Sequence, residues 1–376
     1  MKRATEGLHV AVDGVGAKHG GAATVLKAIA TASSGVDDVR RLTLFTSPPE
    51  TRHFDLPSPG KFEEISFPDA QGIQRIQWLL SGLPHAARRV GADALLCLGN
   101  GGVAPRGIPA VVFLQQSIPF EPKAVRLLGV RERIRVASIR AVMRWSCRRA
   151  RSTIVQSPTM KAWVGARFHI PEHRIAVVPP SASAALKGDP FSAPPAMQAA
   201  DQGSRVLYVG STRPHKNLPV LLEAVTRLRS QGFPLTLFLT CPPDHPICSR
   251  PGVTGIGYLE EAALWGAYRR ADVLVLPSIV ETVGLPLLEA ASQGVPVLAA
   301  DRPYAHDTCG DAAVFFDPDD PGDLAGKLLH LLSSPEEHAE MRRRGIRHAM
   351  HLSSSRPYEA MLHHVVGVAR GETLDR

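Results

Sequence analysis

The stretch VLYVGSTRPHKN, at residues 206–217, gives the clearest indication of the fold. Its aliphatic first half is typical of a buried strand that ends at Gly210, and the following loop carries Arg213 and Lys216. Asn217 is a residue type suited to capping a helix, and the apolar residues beyond it recur at helical spacing. The stretch therefore predicts a strand, a loop with two cations and a helix, which is one step of a parallel α/β sheet.

The same alternation of short aliphatic runs and helical patterns fills the chain on both sides of this stretch. Parallel sheets with helices on both faces are the expected result, and the number of strands favours two sheets over one. The fold class is therefore α/β, with two doubly wound, Rossmann-like domains. The eleven predicted strands are Leu8–Val12, Leu42–Thr46, Ala94–Leu98, Ala110–Leu114, Thr153–Val155, Ile175–Val178, Val206–Val209, Leu235–Leu239, Val273–Leu276, Val297–Ala299 and Val314–Phe316.

One stretch rich in Pro, Ser, Ala and Gly, with little apolar periodicity, divides the chain at residues 179–203. Such a composition is typical of a linker or loop. We predict a first domain at residues 1–180, a linker at 181–204, a second domain at 205–350 and a C-terminal segment at 351–376.

The composition is that of an ordinary globular protein and argues against several other classes. Hydrophobic residues make up 44% and charged residues 21% of the 376 positions, and no apolar run approaches the ~20 residues that cross a bilayer. The N-terminus lacks the apolar core of a signal peptide, so a cytoplasmic protein is expected. The five cysteines are scattered without any C-x-x-C, which argues against a disulfide framework and a zinc site.

The net charge of +8 is concentrated in one segment, residues 123–151, which we call the basic stripe. It holds ten Lys and Arg residues against a single acid, Glu132, and it alternates arginines with apolar residues. This pattern is typical of a helix on an anionic membrane surface, although an ordinary helix with a solvated arginine face has the same pattern. Nucleic-acid binding is the weakest interpretation, because no recognition module accompanies the stripe.

Two features indicate a ligand near the carboxyl ends of the strands. Arg213 and Lys216 lie between a strand end and a helix start, where backbone N–H groups favour an anion, although solvated loop cations would look the same. A later strand, residues 273–276, leads into a loop with Glu281, and the apolar helix beyond it contains Glu289. A carboxylate in an apolar helix needs polar partners, which are either ligand hydroxyls or backbone N–H groups of the helix start.

A glycine-rich loop at residues 13–21 follows the first strand and leads into a helix. Gly20 and Gly21 would allow the backbone to approach a ligand closely. The loop does not have the G-x-G-x-x-G spacing with its acidic partner, so a nicotinamide site is not supported.

Taken together, these motifs resemble glycosyltransferase family 4. The resemblance rests on the strand–Gly–Arg/Lys–Asn block, on Glu281-x7-Glu289 and on Gly284-Leu285-Pro286, and it covers nearly all of residues 205–332. The first half matches more loosely, through Gly20-Gly21 among other positions. The resemblance implies the GT-B fold, in which a cleft separates two Rossmann-like domains, and a retaining enzyme that uses a nucleotide-sugar donor.

The resemblance also implies a role for each matching residue. Arg213 and Lys216 would hold the donor diphosphate and Glu281 would lie beside the reacting sugar, so these three are the predicted catalytic residues. The other predicted donor contacts are Gly20, Gly21, Gly210, Tyr258, Leu259, Gly284, Leu285 and Glu289. Of these, Tyr258 and Leu259 would contact the nucleobase, and Glu289 would bind the ribose.

Among the departures of the chain from the family pattern, one concerns the acceptor side, and a separate motif is ambiguous. Gln115 and Gln116 stand where the family commonly has a histidine, which makes them candidates for the acceptor side. The string Asp317-Pro318-Asp319 resembles the metal-binding D-x-D of other glycosyltransferases, but its position after a late strand predicts a turn. No metal is expected, and no cofactor beyond the donor substrate.

The sequence therefore predicts a retaining glycosyltransferase that moves a sugar from a nucleoside-diphosphate donor to a saccharide or lipid-linked acceptor, in cell-surface polysaccharide or glycolipid synthesis. The expected partners are donor, acceptor and, through the basic stripe, an anionic membrane surface at the inner face of the cell membrane, but not nucleic acid. The C-terminal segment would cross back to the first domain, as in the family. Two alternatives stay open, a sugar-nucleotide 2-epimerase of the same architecture and a non-catalytic sugar-nucleotide-binding protein.

Overall fold

The computed structural model describes residues 7–18, 20–52, 54–57, 62–68, 72–103, 105–180, 192–200 and 202–372. The chain forms two compact units. The first unit comprises Met1–Phe120, Val130–Pro179 and Arg356–Arg376, and the second unit comprises Glu121–Gly129 and Pro180–Ser355.

The elements alternate along the chain. The strands are β1 (Leu8–Gly14), β2 (Val39–Thr46), β3 (Phe62–Ser66), β4 (Ala94–Cys97), β5 (Ala110–Phe113), β6 (Ser152–Val155), β7 (Ile175–Val177), β8 (Ser204–Tyr208), β9 (Leu235–Leu239), β10 (Val253–Gly255), β11 (Val273–Leu276), β12 (Val297–Ala300) and β13 (Val314–Phe316). The α-helices are α1 (Gly20–Ala32), α2 (Ile73–Gln77), α3 (Leu83–Arg89), α4 (Pro122–Arg126), α5 (Val130–Arg149), α6 (Pro158–Phe168), α7 (Pro195–Gln198), α8 (Leu218–Ser230), α9 (Glu261–Arg270), α10 (Leu285–Ser292), α11 (Pro303–Cys309), α12 (Pro321–Ser333), α13 (Pro335–Ser354) and α14 (Pro357–Arg370).

The first unit is built on a seven-stranded parallel sheet with the order β3-β2-β1-β4-β5-β6-β7. Its central strands β4 and β5 are buried at every position, as expected for a sheet with helices on both faces. The last helix, α14, packs on α1 and β4, and buries Met361, Leu362 and Val365 in one of the cores of this sheet. The C-terminal helix therefore belongs to the first unit.

The second unit is built on a six-stranded parallel sheet with the order β10-β9-β8-β11-β12-β13. One continuous apolar core covers both faces, and β11 and β12 are buried throughout. Successive strands run outward from β8 on one side and from β11 on the other. The carboxyl ends of β8 and β11 therefore form the topological switch point, where open α/β sheets bind ligands.

The eleven predicted strands are all present, and two further strands, β3 and β10, were not predicted. Both are sheet edges. Strand β3 carries Glu63 and Glu64, and β10 contains Thr254 and Gly255, so neither shows an aliphatic run. The other two edge strands, β7 and β13, are also short but consist of apolar residues, and for that reason they were predicted.

The unit boundaries differ from the predicted domains in three places. Residues 121–129 belong to the second unit rather than to the predicted first domain, and there Lys123 forms an ion pair with Asp319. Helix α7 lies within the predicted linker at 181–204, of which residues 181–191 are outside the described part of the chain. Helix α13 continues to Ser354, so the start of the predicted C-terminal segment is still a helix of the second unit.

Candidate functional site

The loops after β8 and β11 lie side by side in the second unit, because the two strands are hydrogen-bonded neighbours. The first loop leads to α8 and the second leads to α10. These loops contain most of the residues that the sequence predicts to contact the donor.

The loop after β8 is held in a tight conformation around Gly210. The Gly210 N–H donates to Thr240 Oγ1 (2.9 Å), and the Tyr208 hydroxyl donates to the carbonyl oxygen of Ser211 (2.6 Å). A Cβ at Gly210 would lie 2.7 Å from the Tyr208 hydroxyl oxygen, closer than real Cβ contacts allow. Any side chain at Gly210 would therefore have to displace the ring of Tyr208, which is fully buried.

Arg213 and Lys216 lie on this loop, as predicted, with a short 3₁₀ turn over Pro214–Lys216. Arg213 is exposed and Lys216 is partly buried. The prediction that Asn217 caps α8 with its side chain is wrong. Asn217 has φ 54°, and its side-chain amide donates to the Pro318 carbonyl oxygen (2.7 Å) instead, which ties the loop to the segment after β13.

Lys216 and Glu281, which are 65 residues apart in sequence, form an ion pair through Nζ and Oε1. The side chains are 16% and 17% exposed, so the pair is only partly screened by solvent. The structure thus brings together two of the three predicted catalytic residues across the switch point of the sheet.

Glu289 lies in α10 and is partly buried. Its Oε2 accepts a hydrogen bond from the Tyr268 hydroxyl of α9 (2.6 Å), a partner that the sequence analysis did not predict. Burial raises the pKa of Glu289 above its usual value, and the hydrogen bond from Tyr268 acts in the opposite direction. The carboxylate is therefore held at a desolvation cost, which a polar ligand could offset.

Two hydrogen bonds from helix α11 hold the loop between β11 and α10 in place. The Tyr304 hydroxyl donates to the Ser278 carbonyl oxygen (3.0 Å), and Thr308 Oγ1 donates to the Val283 carbonyl oxygen (2.6 Å). Gly284 precedes α10 with φ 81°. Tyr304 and Thr308 were missed as supporting residues, because both lie on α11, one strand further along the sheet.

Tyr258 and Leu259 follow β10, at the side of the sheet where the carboxyl ends of its strands lie. The Gly257 N–H donates to the Cys241 carbonyl oxygen (2.8 Å), which joins this segment to the end of β9. Tyr258 is 83% exposed and presents its ring to solvent. Its exposure suits a stacking contact with a planar ligand.

In the first unit, the predicted residues lie at the carboxyl ends of β1 and β5. Gly20 and Gly21 begin α1, directly after the loop that follows β1. Gln115 Nε2 donates to the Leu98 carbonyl oxygen (3.0 Å), so this side chain ties the end of β5 to the end of β4. Gln116 is exposed.

A buried ion pair at the end of β1 was not predicted. Asp13 is fully buried, and its carboxylate accepts hydrogen bonds from Arg75 Nη2 (2.9 Å) and Trp78 Nε1 (3.0 Å). A Cβ at Gly99 would lie 2.0 Å from Arg75 Nη2. An aspartate near the end of a largely apolar strand was the available signal for such a pair.

Asp317 and Asp319 form a turn, as predicted. The Asp319 N–H donates to Asp317 Oδ1 (2.9 Å), and the Asp320 side chain caps α12. Within the described part of the chain, no cluster of three or more His, Cys, Asp or Glu side chains is arranged to hold a metal ion.

Two family models match the chain. The model described as Glycosyltransferase Family 4 matches residues 19–184, and the model described as Glycosyl transferases group 1 matches residues 203–334. The chain belongs to the family 4 glycosyltransferases. The residues that carried the resemblance in the second half lie within the group 1 match.

A curated relative of this glycosyltransferase is the O-antigen chain mannosyltransferase B of Escherichia coli, which is 30% identical over 161 residues. That match covers 39% of this chain and 42% of the relative. The chain spans between 38% and 55% of the length of the curated relatives it matches.

Solved structures match almost the whole chain. Sucrose-phosphate synthase from Thermosynechococcus elongatus has a TM-score of 0.76 and 16% identity, and the match covers 95% of this chain and 98% of that one. The Anabaena protein HepE in complex with UDP-glucose has a TM-score of 0.69 and 14% identity, with 95% and 99% covered. At these identities the likeness concerns the fold, which is GT-B, with two Rossmann-like units.

Proposed function

We propose that this glycosyltransferase moves a sugar from a nucleoside-diphosphate donor to a saccharide acceptor with retention of the anomeric configuration, in cell-surface polysaccharide or glycolipid synthesis. The observation that carries the proposal is the ion pair between Lys216 and Glu281, which joins the loops after the neighbouring strands β8 and β11. Arg213 lies on the first of these loops, and Glu289 lies on the helix that follows the second. Its relatives add support, since one is an O-antigen chain mannosyltransferase and one structural neighbour was solved in complex with UDP-glucose.

The two cations would bind the donor diphosphate. When the bond to the sugar breaks, the leaving nucleoside diphosphate gains negative charge, and fixed cations stabilise that charge in the transition state. Lys216 carries three N–H donors, so it can keep its bond to Glu281 while another N–H faces a phosphate oxygen. Arg213 is exposed and can turn its planar fork toward the same group.

Glu289 would bind the ribose hydroxyls. Tyr268 holds one of its oxygens and so fixes the direction of the carboxylate. Hydroxyl donors from a ribose would lower the cost of keeping this carboxylate ionised. Tyr258 and Leu259 would contact the nucleobase, with the exposed Tyr258 ring as the stacking surface.

Glu281 would lie beside the transferred sugar, together with the backbone of Gly284 and Leu285 at the start of α10. A helix start offers backbone N–H groups to an anion, which suits the phosphate that is attached to the sugar. In the first unit, the backbone of Gly20 and Gly21, which carry no side chain, would approach the phosphates. Gln115 and Gln116 would serve the acceptor side.

The basic stripe would dock the protein on the inner, anionic face of the membrane, where it would meet a lipid-linked acceptor. Within the described residues, no helix is long and apolar enough to span a bilayer. In the first half of α5, Val130 is 72% and Ile134 is 63% exposed, beside the exposed Arg131, Arg133 and Arg135. Exposed apolar side chains between arginines are what an interfacial helix needs.

The test of this function is a donor panel with product analysis. Full-length protein is incubated with UDP-glucose, GDP-mannose and related donors, each with a mixture of short saccharide acceptors. We expect one donor to release its nucleoside diphosphate in an acceptor-dependent reaction, and NMR of the product to show the anomeric configuration of the donor. An inverted product would contradict retention, a C2-epimerised sugar would indicate the epimerase, and donor binding without turnover would indicate a sugar-nucleotide-binding protein.

A further inference from the structure

A cavity of about 710 Å³ lies at the amino ends of strands in the first unit. Ala110, which begins β5, lines it, as do Arg151 just before β6 and Arg174 just before β7. It is therefore at the edge of the sheet opposite to the carboxyl ends where the predicted ligand loops lie. Four arginines line it: Arg148, Arg149, Arg151 and Arg174.

Two of these arginines are fixed by neutral acceptors. Arg174 Nη2 donates to the carbonyl oxygens of Cys147 (3.2 Å), Arg148 (3.3 Å) and Ala150, and Arg148 Nε donates to the Phe168 carbonyl oxygen (3.0 Å). Carbonyl oxygens hold a guanidinium in place but do not cancel its charge. The two side chains are therefore preorganised and still positive.

The other two arginines have no carboxylate partner in the part of the chain that the structure describes. The Arg149 guanidinium lies over the Trp145 ring, 4.8 Å from its centroid, and Arg151 is exposed. Among the described lining residues the one carboxylate is Glu372, which also lies 4.0 Å from Arg370. Four guanidiniums thus face a single, shared carboxylate.

Helix capping accounts for only part of this charge. Helices α5 and α14 end beside the cavity, and each helix C-terminus carries the equivalent of about −0.5 charge. Together with Glu372 this gives about −2, against +4 from the arginines. A net positive charge of about +2 remains at one cavity, and like charges so close repel unless an anion binds between them.

We propose that this cavity binds a phosphate-bearing ligand, at a site separate from the donor site. The planar guanidinium fork matches phosphate oxygens in pairs, which a point charge does not. Ile108 and Val368 line the cavity as well and suit the carbon part of a phosphate ester. The headgroup of an anionic lipid and a soluble phosphate ester share this chemistry, and the experiment separates them.

The probe for the shared chemistry is inorganic pyrophosphate, titrated by calorimetry into the full chain that carries Lys216→Ala, which weakens the proposed donor site. Adding Arg149→Gln and Arg151→Gln should lower pyrophosphate affinity about tenfold or more, as expected for lost charged hydrogen bonds. The matched control, Arg88→Gln with Arg89→Gln, removes the same charge from exposed positions of the first unit, outside both the cavity and the basic stripe, and should leave the affinity nearly unchanged. Equal losses in the two double variants would mean diffuse electrostatics and overturn the proposal.

Phosphatidylglycerol vesicles then identify the source. For a lipid headgroup, the Arg149→Gln/Arg151→Gln protein sediments less than the control, and pyrophosphate releases the wild type. For a soluble ester, the two variants sediment alike and only pyrophosphate separates them. If the double variant fails to fold, Arg151→Gln alone and Arg151→Lys, which should keep part of the affinity, replace it. If neither probe distinguishes cavity variants from controls, the site does not exist.

Discussion

Lys216 is the residue with the clearest expected effect on donor binding, because its ammonium lies at the switch point and is already held by Glu281. Lys216→Ala removes a charged hydrogen-bond donor and should weaken binding of the cognate nucleoside diphosphate by about 1.5–3 kcal/mol. Calorimetry with UDP and GDP measures this loss. Lys327→Ala, which breaks a surface pair with Asp323 in α12, is the matched control and should bind normally. Unchanged affinity in Lys216→Ala would refute the phosphate role.

Glu281 and Glu289 should affect different kinetic constants. Glu289→Gln acts on the proposed ribose contact and should mainly raise the apparent KM for the donor. Glu281→Gln acts beside the proposed reacting sugar and should mainly lower kcat. Steady-state kinetics with the donor identified by the panel separates the two, and the reverse pattern would mean that the roles are exchanged.

Glu289 also makes a prediction about stability and pH. Because burial raises its pKa, the folded state favours the protonated carboxyl, and the ionised group destabilises the protein as the pH rises through that raised pKa. In Glu289→Gln the amide oxygen can still accept the Tyr268 hydrogen bond, without any charge to desolvate. The variant should have a higher Tm than the ligand-free wild type at pH 8, measured by thermal unfolding.

That difference should shrink as the pH falls through the pKa of Glu289, because the wild-type carboxyl becomes neutral as well. Tyr268→Phe is the informative companion, since it leaves the carboxylate without its partner and should lower the Tm at pH 8. If the difference in Tm between Glu289→Gln and the wild type stays constant from pH 8 down to below the pKa of Glu289, the result would argue against a buried, titrating carboxylate.

At the scale of elements, the start of α10 depends on the backbone of Gly284. Its φ of 81° disfavours any side chain, and a Cβ there would lie 3.1 Å from Leu276 Cδ2 and from Leu287 Cδ1. Gly284→Ala should destabilise the protein by about 1–3 kcal/mol through this strain. Gly326→Ala is the control, because Gly326 is exposed within α12 with no atom within 4 Å of the added Cβ. It should stabilise by about 0.5–1 kcal/mol, and urea unfolding measures both changes.

If Gly284→Ala proves as stable as the wild type, the left-handed conformation is not required for α10 to start. If it is destabilised but binds nucleoside diphosphate normally, the loop supports the fold without positioning the donor. Both outcomes can be read from unfolding curves and calorimetry of the same preparation.

The sequence predicts an element when the residues of that element alone carry its pattern. A central strand such as β11 must be apolar on both faces, so VLVL was readable, whereas the edge strand β3, with its two glutamates, was not. Arg213 and Lys216 were predicted because they lie between a strand end and a helix start, and Glu281 was assigned its role by the family resemblance. Their pairing through Lys216 and Glu281 depends on which strands are neighbours, which only the sheet order provides.

Side-chain partners from other elements could not be predicted from the sequence. Tyr268 reaches Glu289 from α9, and Arg75 reaches Asp13 from α2, over separations of 21 and 62 residues. Neither pairing leaves a periodic pattern, because it depends on how a helix packs against its own sheet. The same holds for Asn217, whose residue type suits a cap but whose side chain reaches Pro318 instead.

At the scale of the whole molecule, the first unit is discontinuous in sequence. Helix α14 lies at the end of the chain but packs on α1 and β4, so the core of the first unit closes only when the last residues are in place. No local pattern in α14 indicates this partner, and only the family resemblance implied it. Contacts of such long sequence separation are expected to form late in folding.

The exposed half of α5 is a surface feature that the fold of the first unit does not use. Its second half is packed, with Met143 and Cys147 fully buried, whereas Val130 and Ile134 are mostly exposed among arginines. The C-terminal arginines of the same helix have structural contacts, since Arg148 bonds the Phe168 carbonyl and Arg149 stacks on Trp145. A test of membrane docking should therefore change the first half of the helix only.

If α5 docks on anionic lipid, the wild type should sediment with phosphatidylglycerol vesicles at low salt and be released as salt rises, because screening weakens the attraction. Each basic residue contributes about 1 kcal/mol, so the triple variant Arg131→Gln, Arg133→Gln, Arg135→Gln should lower vesicle binding by about two orders of magnitude.

The matched control replaces three exposed arginines of the second unit, Arg250, Arg342 and Arg347, with glutamine and should still bind. Equal release of the control would mean that net charge alone drives binding, and a wild type that never sediments would make the stripe a solvated helix face. Turnover of a soluble acceptor should survive the α5 changes, because docking brings the enzyme to its acceptor without touching the donor.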